Sequence, residues 1–111
     1  MTLNQYQYEA ALTAIYPGKD TLEGLVYTIL GLTGEAGECA NKCKKILRDD
    51  NQELTEERRV QLAKEIGGTL WYIAMCSKEL GYNLSEIAQM NIDELRSRQE
   101  RGTLQGSGDN R

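Results

Sequence analysis

Between Leu22 and Leu47, apolar or small residues return at every third or fourth position: Leu22, Leu25, Ile29, Leu32, Ala36, Ala40, Cys43 and Leu47. That spacing draws a single stripe along a helix running from about Thr21 to Leu47. A helix of such length reads as the central helix of a bundle, and the rest of the chain must supply what covers its stripe.

The flanking segments have the same period. Thr2 and Gln5 fit a capping box that opens a first helix, with Tyr8, Leu12 and Ile15 on one face, and Pro17-Gly18 stops it. A polar stretch from Arg48 to Leu54 separates the central helix from a third one. Thr55 caps that third helix, Glu56 and Glu57 lie in its first turn, and Val60, Ala63, Ile66, Leu70, Ile73, Ser77 and Leu80 form its stripe up to Gly81. A fourth helix starts near Ser85 and continues to about Gln99, with Leu84, Ala88, Ile92 and Leu95 on its apolar side. No segment has the alternation of a strand. The expectation is an all-α fold, a four-helix bundle-like subunit with long central helices, occupying residues 1–101 as one domain. Residues 102–111 follow as a glycine-rich tail with little to bury, expected to be flexible unless a ligand or neighbour orders it.

Composition narrows the function classes. Hydrophobic residues at 40% and charged residues at 27% suit a soluble globular domain, not a disordered one. No stretch has the length and apolarity of a membrane span, and the first residues lack a signal pattern, so a cytoplasmic protein without membrane contact is expected. A net charge of −4 disfavours sequence-independent binding to a nucleic-acid polymer. Histidine is absent, which removes His-based triads and the usual His-containing zinc sites. The three cysteines, Cys39, Cys43 and Cys76, are an odd count and read as small buried hydrophobes without a disulfide framework.

What remains for chemistry is carboxylates. Glu35 and Glu38 lie three apart on the central helix, interleaved with Gly31, Gly34 and Gly37. Each helical glycine costs on the order of 1 kcal/mol relative to alanine, so three together point to close approach by a helix or a ligand. The third helix repeats the combination in Lys64-Glu65-Ile66-Gly67-Gly68. If the two helices are antiparallel, Glu35, Glu38 and Glu65 can meet, and three converging carboxylates call for a divalent cation. Oxygen-only donors select Mg²⁺ or Mn²⁺ over zinc.

Gly31-Leu32-Thr33-Gly34-Glu35-Ala36-Gly37-Glu38, with Asn41 to Lys45, and Lys64 to Ala74 resemble the short, phage-type members of the MazG-like all-α nucleoside triphosphate pyrophosphohydrolases. Asn91 to Arg98 and the tail Arg101 to Arg111 extend the similarity over nearly the whole chain. That family's signature is E-x-x-E followed by E-x-x-D, four carboxylates holding Mg²⁺ against a triphosphate. Glu35, Glu38 and Glu65 match the first three places, and Gly68 stands where the Asp would be. Similar sequences also usually carry Lys where this chain has Glu94.

The resemblance implies Mg²⁺-dependent hydrolysis of nucleoside triphosphates, deoxynucleotides included, to monophosphate and pyrophosphate. It implies a homodimer that completes the active site, with pairing into tetramers left open. Glu35, Glu38 and Glu65 are the expected metal-binding and catalytic residues, and Lys42, Lys45, Trp71, Asn91 and Arg98 the expected substrate contacts. Bland readings stand beside several of these. The basic run of Lys42, Lys44, Lys45 and Arg48 also suits a helix C-terminus or pairing with Asp49 and Asp50. Trp71 and Tyr72 also suit a core, Asn91 a satisfied buried amide, and Glu94 an exposed partner for Arg98. Two rivals to the enzyme follow: a nucleotide-binding relative that Gly68 leaves inactive or attenuated, and a helical interaction module whose acidic cluster is a relic.

Overall fold

The structure is a computed structural model describing residues 1–111. It has four helices and no strand: α1 (Leu3–Ala11), α2 (Leu22–Asp49), α3 (Glu56–Glu79) and α4 (Leu84–Glu100). Local sequence explains where they begin. Thr2 Oγ1 accepts from the Gln5 N–H while Gln5 Oε1 accepts from the Thr2 N–H, the reciprocal pair that satisfies two otherwise orphaned donors. Thr55 Oγ1 accepts from the Arg58 N–H at the start of α3. Gly81, at φ 83, takes the left-handed conformation that ends α3.

α1 stops six residues before Pro17. The N–H groups of Leu12, Thr13 and Ala14 turn to carbonyls three residues back, and Thr13 Oγ1 bonds the Ala10 carbonyl. That tightened turn leads into a connection held to α3: Tyr16 Oη donates to Glu79 Oε1 at 2.5 Å, and the Asp20 N–H donates to the same oxygen at 3.2 Å. The side-chain anchors, not the proline, set the end of α1.

α3 is the hub. α2 packs along it and touches neither α1 nor α4, while α1 and α4 rest on α3 and on each other. The core lies where α1, α3 and α4 meet: Ala10, Ala14, Tyr16, Ala74, Met75 and Leu84, with Tyr6, Leu70, Trp71 and Ile73 packed against it. The apolar stripe expected on α4 is only partly used, since Leu84 is buried but Ile92 and Leu95 are exposed. No helix is long and apolar enough to cross a membrane. The tail folds on itself, with Arg111 donating to the carbonyls of Thr103, Leu104 and Gly108, and is tied to α4 by Arg98, which donates to the Asp109 carbonyl. Cys76 is buried as expected, Cys39 is half-buried, and Cys43 is exposed, which corrects the expectation that all three are core residues.

Candidate carboxylate site between α2 and α3

The close approach of α2 and α3 is set by glycines. A Cβ on Gly31 would fall 2.1 Å from Tyr72 Cε1, so the Tyr72 ring lies directly on the α2 backbone. One turn further along α2, a Cβ on Gly68 of α3 would lie 2.8 Å from Glu35 Oε2. The two pairs share one antiparallel register, four residues forward on α2 for four back on α3. Gly34, Gly37 and Gly67 have nothing within 4 Å. Close approach therefore accounts for Gly31 and Gly68, and within one chain it does not account for the other three.

In that register Glu35 reaches Glu65. Burial is the main cause raising the Glu35 carboxyl above its usual range, followed by hydrogen bonding with Glu65 and the charges of Glu65 and Glu38. Lys42 Nζ stands 3.6 Å from Glu65 Oε1, one cation beside the acidic pair. Tyr72 borders the group: burial first, then the neighbouring Tyr27 and Glu35, push its phenol up.

The expected site residues separate into those brought together and those placed elsewhere. Glu35, Glu65 and Lys42 converge, and Glu38 is exposed within electrostatic reach of Glu35. No three Asp, Glu or Cys side chains form a ready ligand set. The donor chemistry nonetheless fits a hard divalent cation: a half-buried carboxylate raised by burial first and then by its acidic neighbours gains from a positive charge, and only oxygen ligands are offered. Lys45 is half-buried on α2 in no ion pair.

Trp71 belongs to the core side. Its Nε1 donates to Thr13 Oγ1 at 2.9 Å and its ring packs edge-on against Tyr16 and Tyr72. Asn91 is exposed, which corrects the expectation of a buried amide. It lies at the rim of an apolar groove lined by Leu3, Leu70, Ile73, Leu84 and Ile87, in which neither Glu65 nor Gly68 takes part. Arg98 is engaged by Glu94, 2.7 Å from Nε to Oε1, and donates to the Asp109 carbonyl. In the basic run, Arg48 pairs with Asp49, whereas Asp50 takes Arg58 of α3.

Tyr27 is the neighbour of the site that sequence reasoning missed, and Tyr72, read beside Trp71 as a core aromatic, borders the site as well. The signal was present in spacing: Tyr72 is seven residues after Glu65 and Tyr27 eight before Glu35, two helical turns in each case.

No family profile and no solved structure matches the chain. The chain is 50% identical over 114 aligned positions to the Gene 37 protein of Mycobacterium phage L5, with all of both chains covered. It belongs to the same family as that phage protein.

Proposed function

We propose that the protein is a Mg²⁺-dependent nucleoside triphosphate pyrophosphohydrolase of the MazG-like type, with Mn²⁺ as a substitute cation. One observation carries the reading: the α2/α3 register lays Glu35 against Glu65 with Lys42 3.6 Å from Glu65, so an acidic pair and a cation share one half-buried place. Glu35 and Glu65 would hold the metal, with Glu38 one turn along the same helix as the third donor. A divalent cation bound there supplies charge neutralisation on phosphate oxygens and acidifies water. Lys42 would move from Glu65 to a phosphate oxygen once that carboxylate is engaged, and a free carboxylate of the set would take the proton of the water attacking the α-phosphorus.

The subunit is proposed to work as a homodimer. Only 12 of 111 residues are buried, and Leu22, Val26 and Leu30 form an exposed strip on α2 that continues into Gly34, beside which nothing packs. A second copy crossing at Gly34 and Gly37 would cover that strip and bring its own surface close to Glu38.

The test is a pyrophosphate-release screen across ribo- and deoxynucleoside triphosphates, with and without Mg²⁺ or Mn²⁺. Metal-dependent release of pyrophosphate is the expected result. Gly68 and the lack of a third converging ligand favour a second reading, a nucleotide binder with attenuated hydrolysis. Nucleotide-dependent thermal stabilisation without pyrophosphate would select it, and absence of both would leave neither standing.

A further inference from the structure

We propose that Tyr27 seats the base of the nucleoside triphosphate, its ring serving as a stacking platform beside the carboxylates. The proposal rests on the reading that Glu35, Glu38 and Glu65 hold a phosphate-bound cation.

Tyr27 is held as a platform must be. Its ring stacks on Tyr16 at 5.5 Å between ring centres and 8° between planes. Tyr16 is buried, with its hydroxyl donating to Glu79 and its ring edge-on to Trp71. The orientation of Tyr27 is thus set in advance, which lowers the entropy lost when a further ring stacks on it. Tyr27 is nonetheless 40% exposed, and it borders an open groove with Glu23, Val26 and Leu30.

Its place on α2 fits a nucleotide. Glu38 and Lys45 follow Tyr27 by eleven and eighteen residues, about three and five full turns, so the three share one line along the helix. Glu35 follows by eight residues, about 12 Å at the rise of an α-helix, comparable to the reach of a nucleotide from its base to its phosphates. Tyr72 has both ends as neighbours, its phenol pushed up by burial first and then by Tyr27 and Glu35. The other rings nearby are engaged: Trp71 by Thr13, Tyr16 and Tyr72, and Tyr72 by the backbone at Gly31. Tyr27 follows Val26 by one residue, about 100° round the helix, so it stands beside the strip of Leu22, Val26 and Leu30 and not on it. A second copy laid on that strip would flank the base without replacing it.

The test compares ligands that share phosphate chemistry and differ in the base. The full-length protein is titrated by calorimetry, in Mg²⁺, with inorganic tripolyphosphate and with the α,β-methylene analogues of the four deoxynucleoside triphosphates, which resist cleavage. The parent should bind every analogue more tightly than tripolyphosphate, with little difference among bases, because stacking uses a face that every base has. Tyr27→Leu keeps an apolar contact with Tyr16 and removes the ring. It should weaken the analogues roughly tenfold or more and tripolyphosphate less than about twofold, whereas Tyr27→Phe and Tyr27→Trp should retain the analogues. Tyr27→Met takes the place of Tyr27→Leu if circular dichroism shows that the latter does not fold. Unchanged analogue affinity in the folded variant, or an equal loss for tripolyphosphate, would overturn the proposal. So would a loss of analogue affinity accompanied by a change from dimer to monomer in sedimentation, which would mark Tyr27 as part of the seam. A parent that binds neither tripolyphosphate nor any analogue overturns the hydrolase reading and this proposal with it, and a parent that binds both equally well overturns the base seat alone.

Discussion

Gln7 is buried in α1 although its neighbours in the pattern are apolar, and both polar atoms of its amide are used. Nε2 donates to the carbonyls of Ala74 and Tyr82, and Oε1 accepts from the Leu84 N–H, so one side chain joins α1 to the end of α3 and the start of α4. Gln7→Leu should cost roughly 2–3 kcal/mol, since a buried donor left without its partner loses its full solvation, and chemical denaturation would measure it. Nothing in the periodicity of α1 singles out Gln7, because the polar partners it satisfies come from residues about seventy positions away. Glu35 shows the opposite balance, a charge kept where folding disfavours it. Its folded pKa is raised, by burial first and then by Glu65 and Glu38. The stability associated with its protonated form is fully present below the unfolded value of 4.5 and is lost as pH rises through the folded value. In metal-free buffer Glu35→Gln should therefore raise the melting temperature at pH 7 and change it little near pH 3. A lower melting temperature at pH 7 would mark Glu35 as a structural carboxylate.

Among the elements, those governed by local rules were legible and those governed by distant partners were less so. The caps of α1 and α3 lie where Thr2 and Thr55 put them, because a capping side chain reaches only a few residues. α4 starts at Leu84, a residue earlier than its own serine suggests, because α1 finishes its N-terminus. Asn4 Oδ1 accepts from the Ser85 N–H and Gln7 from the Leu84 N–H, while Glu86 takes the Asn83 N–H. The carboxylates of α2 and α3 could be paired from spacing alone, but the register that brings Glu35 to Glu65 depends on which glycine receives which side chain, and spacing does not state that. The connection from Leu12 to Thr21 was read as the end of a helix and a turn. It is instead fastened to α3 through Glu79, which accepts from Tyr16 Oη and the Asp20 N–H. Glu79→Ala should cost about 1.5–3 kcal/mol, the range for hydrogen bonds to a charged group. It should also open the segment between Leu12 and Thr21 to limited proteolysis, and an unchanged cleavage pattern would show that Trp71 and Thr13 suffice to hold it.

At the scale of the molecule, the arrangement is open. The radius of gyration is 16.9 Å, against about 13 Å for a compact chain of this size. Among the helices α2 packs only on α3, with Tyr27 stacked on Tyr16 of the preceding connection, and the side turned from α3 carries Leu22 at 75%, Val26 at 50% and Leu30 at 67% exposure. Apolar side chains spaced by one turn along a helix are a seam, and burying three of them would contribute several kcal/mol at about 25 cal/mol per Å². A second copy is the proposed occupant, since a two-fold axis would set the same strip against itself with no other component. Gly34, with open space where its Cβ would be, follows the strip by one turn and would let a second backbone approach. Leu30→Glu puts a charge in the middle of that seam and touches none of the site carboxylates. Sedimentation should show a dimer for the parent protein at micromolar concentration and a monomer for Leu30→Glu. Because Glu38 lies one turn beyond Gly34, the same substitution should also lower nucleotide affinity while leaving Glu35, Glu65 and Lys42 in place. A folded monomeric parent would remove the dimer. A monomeric Leu30→Glu with full nucleotide affinity would keep the dimer and show that each subunit carries a complete site.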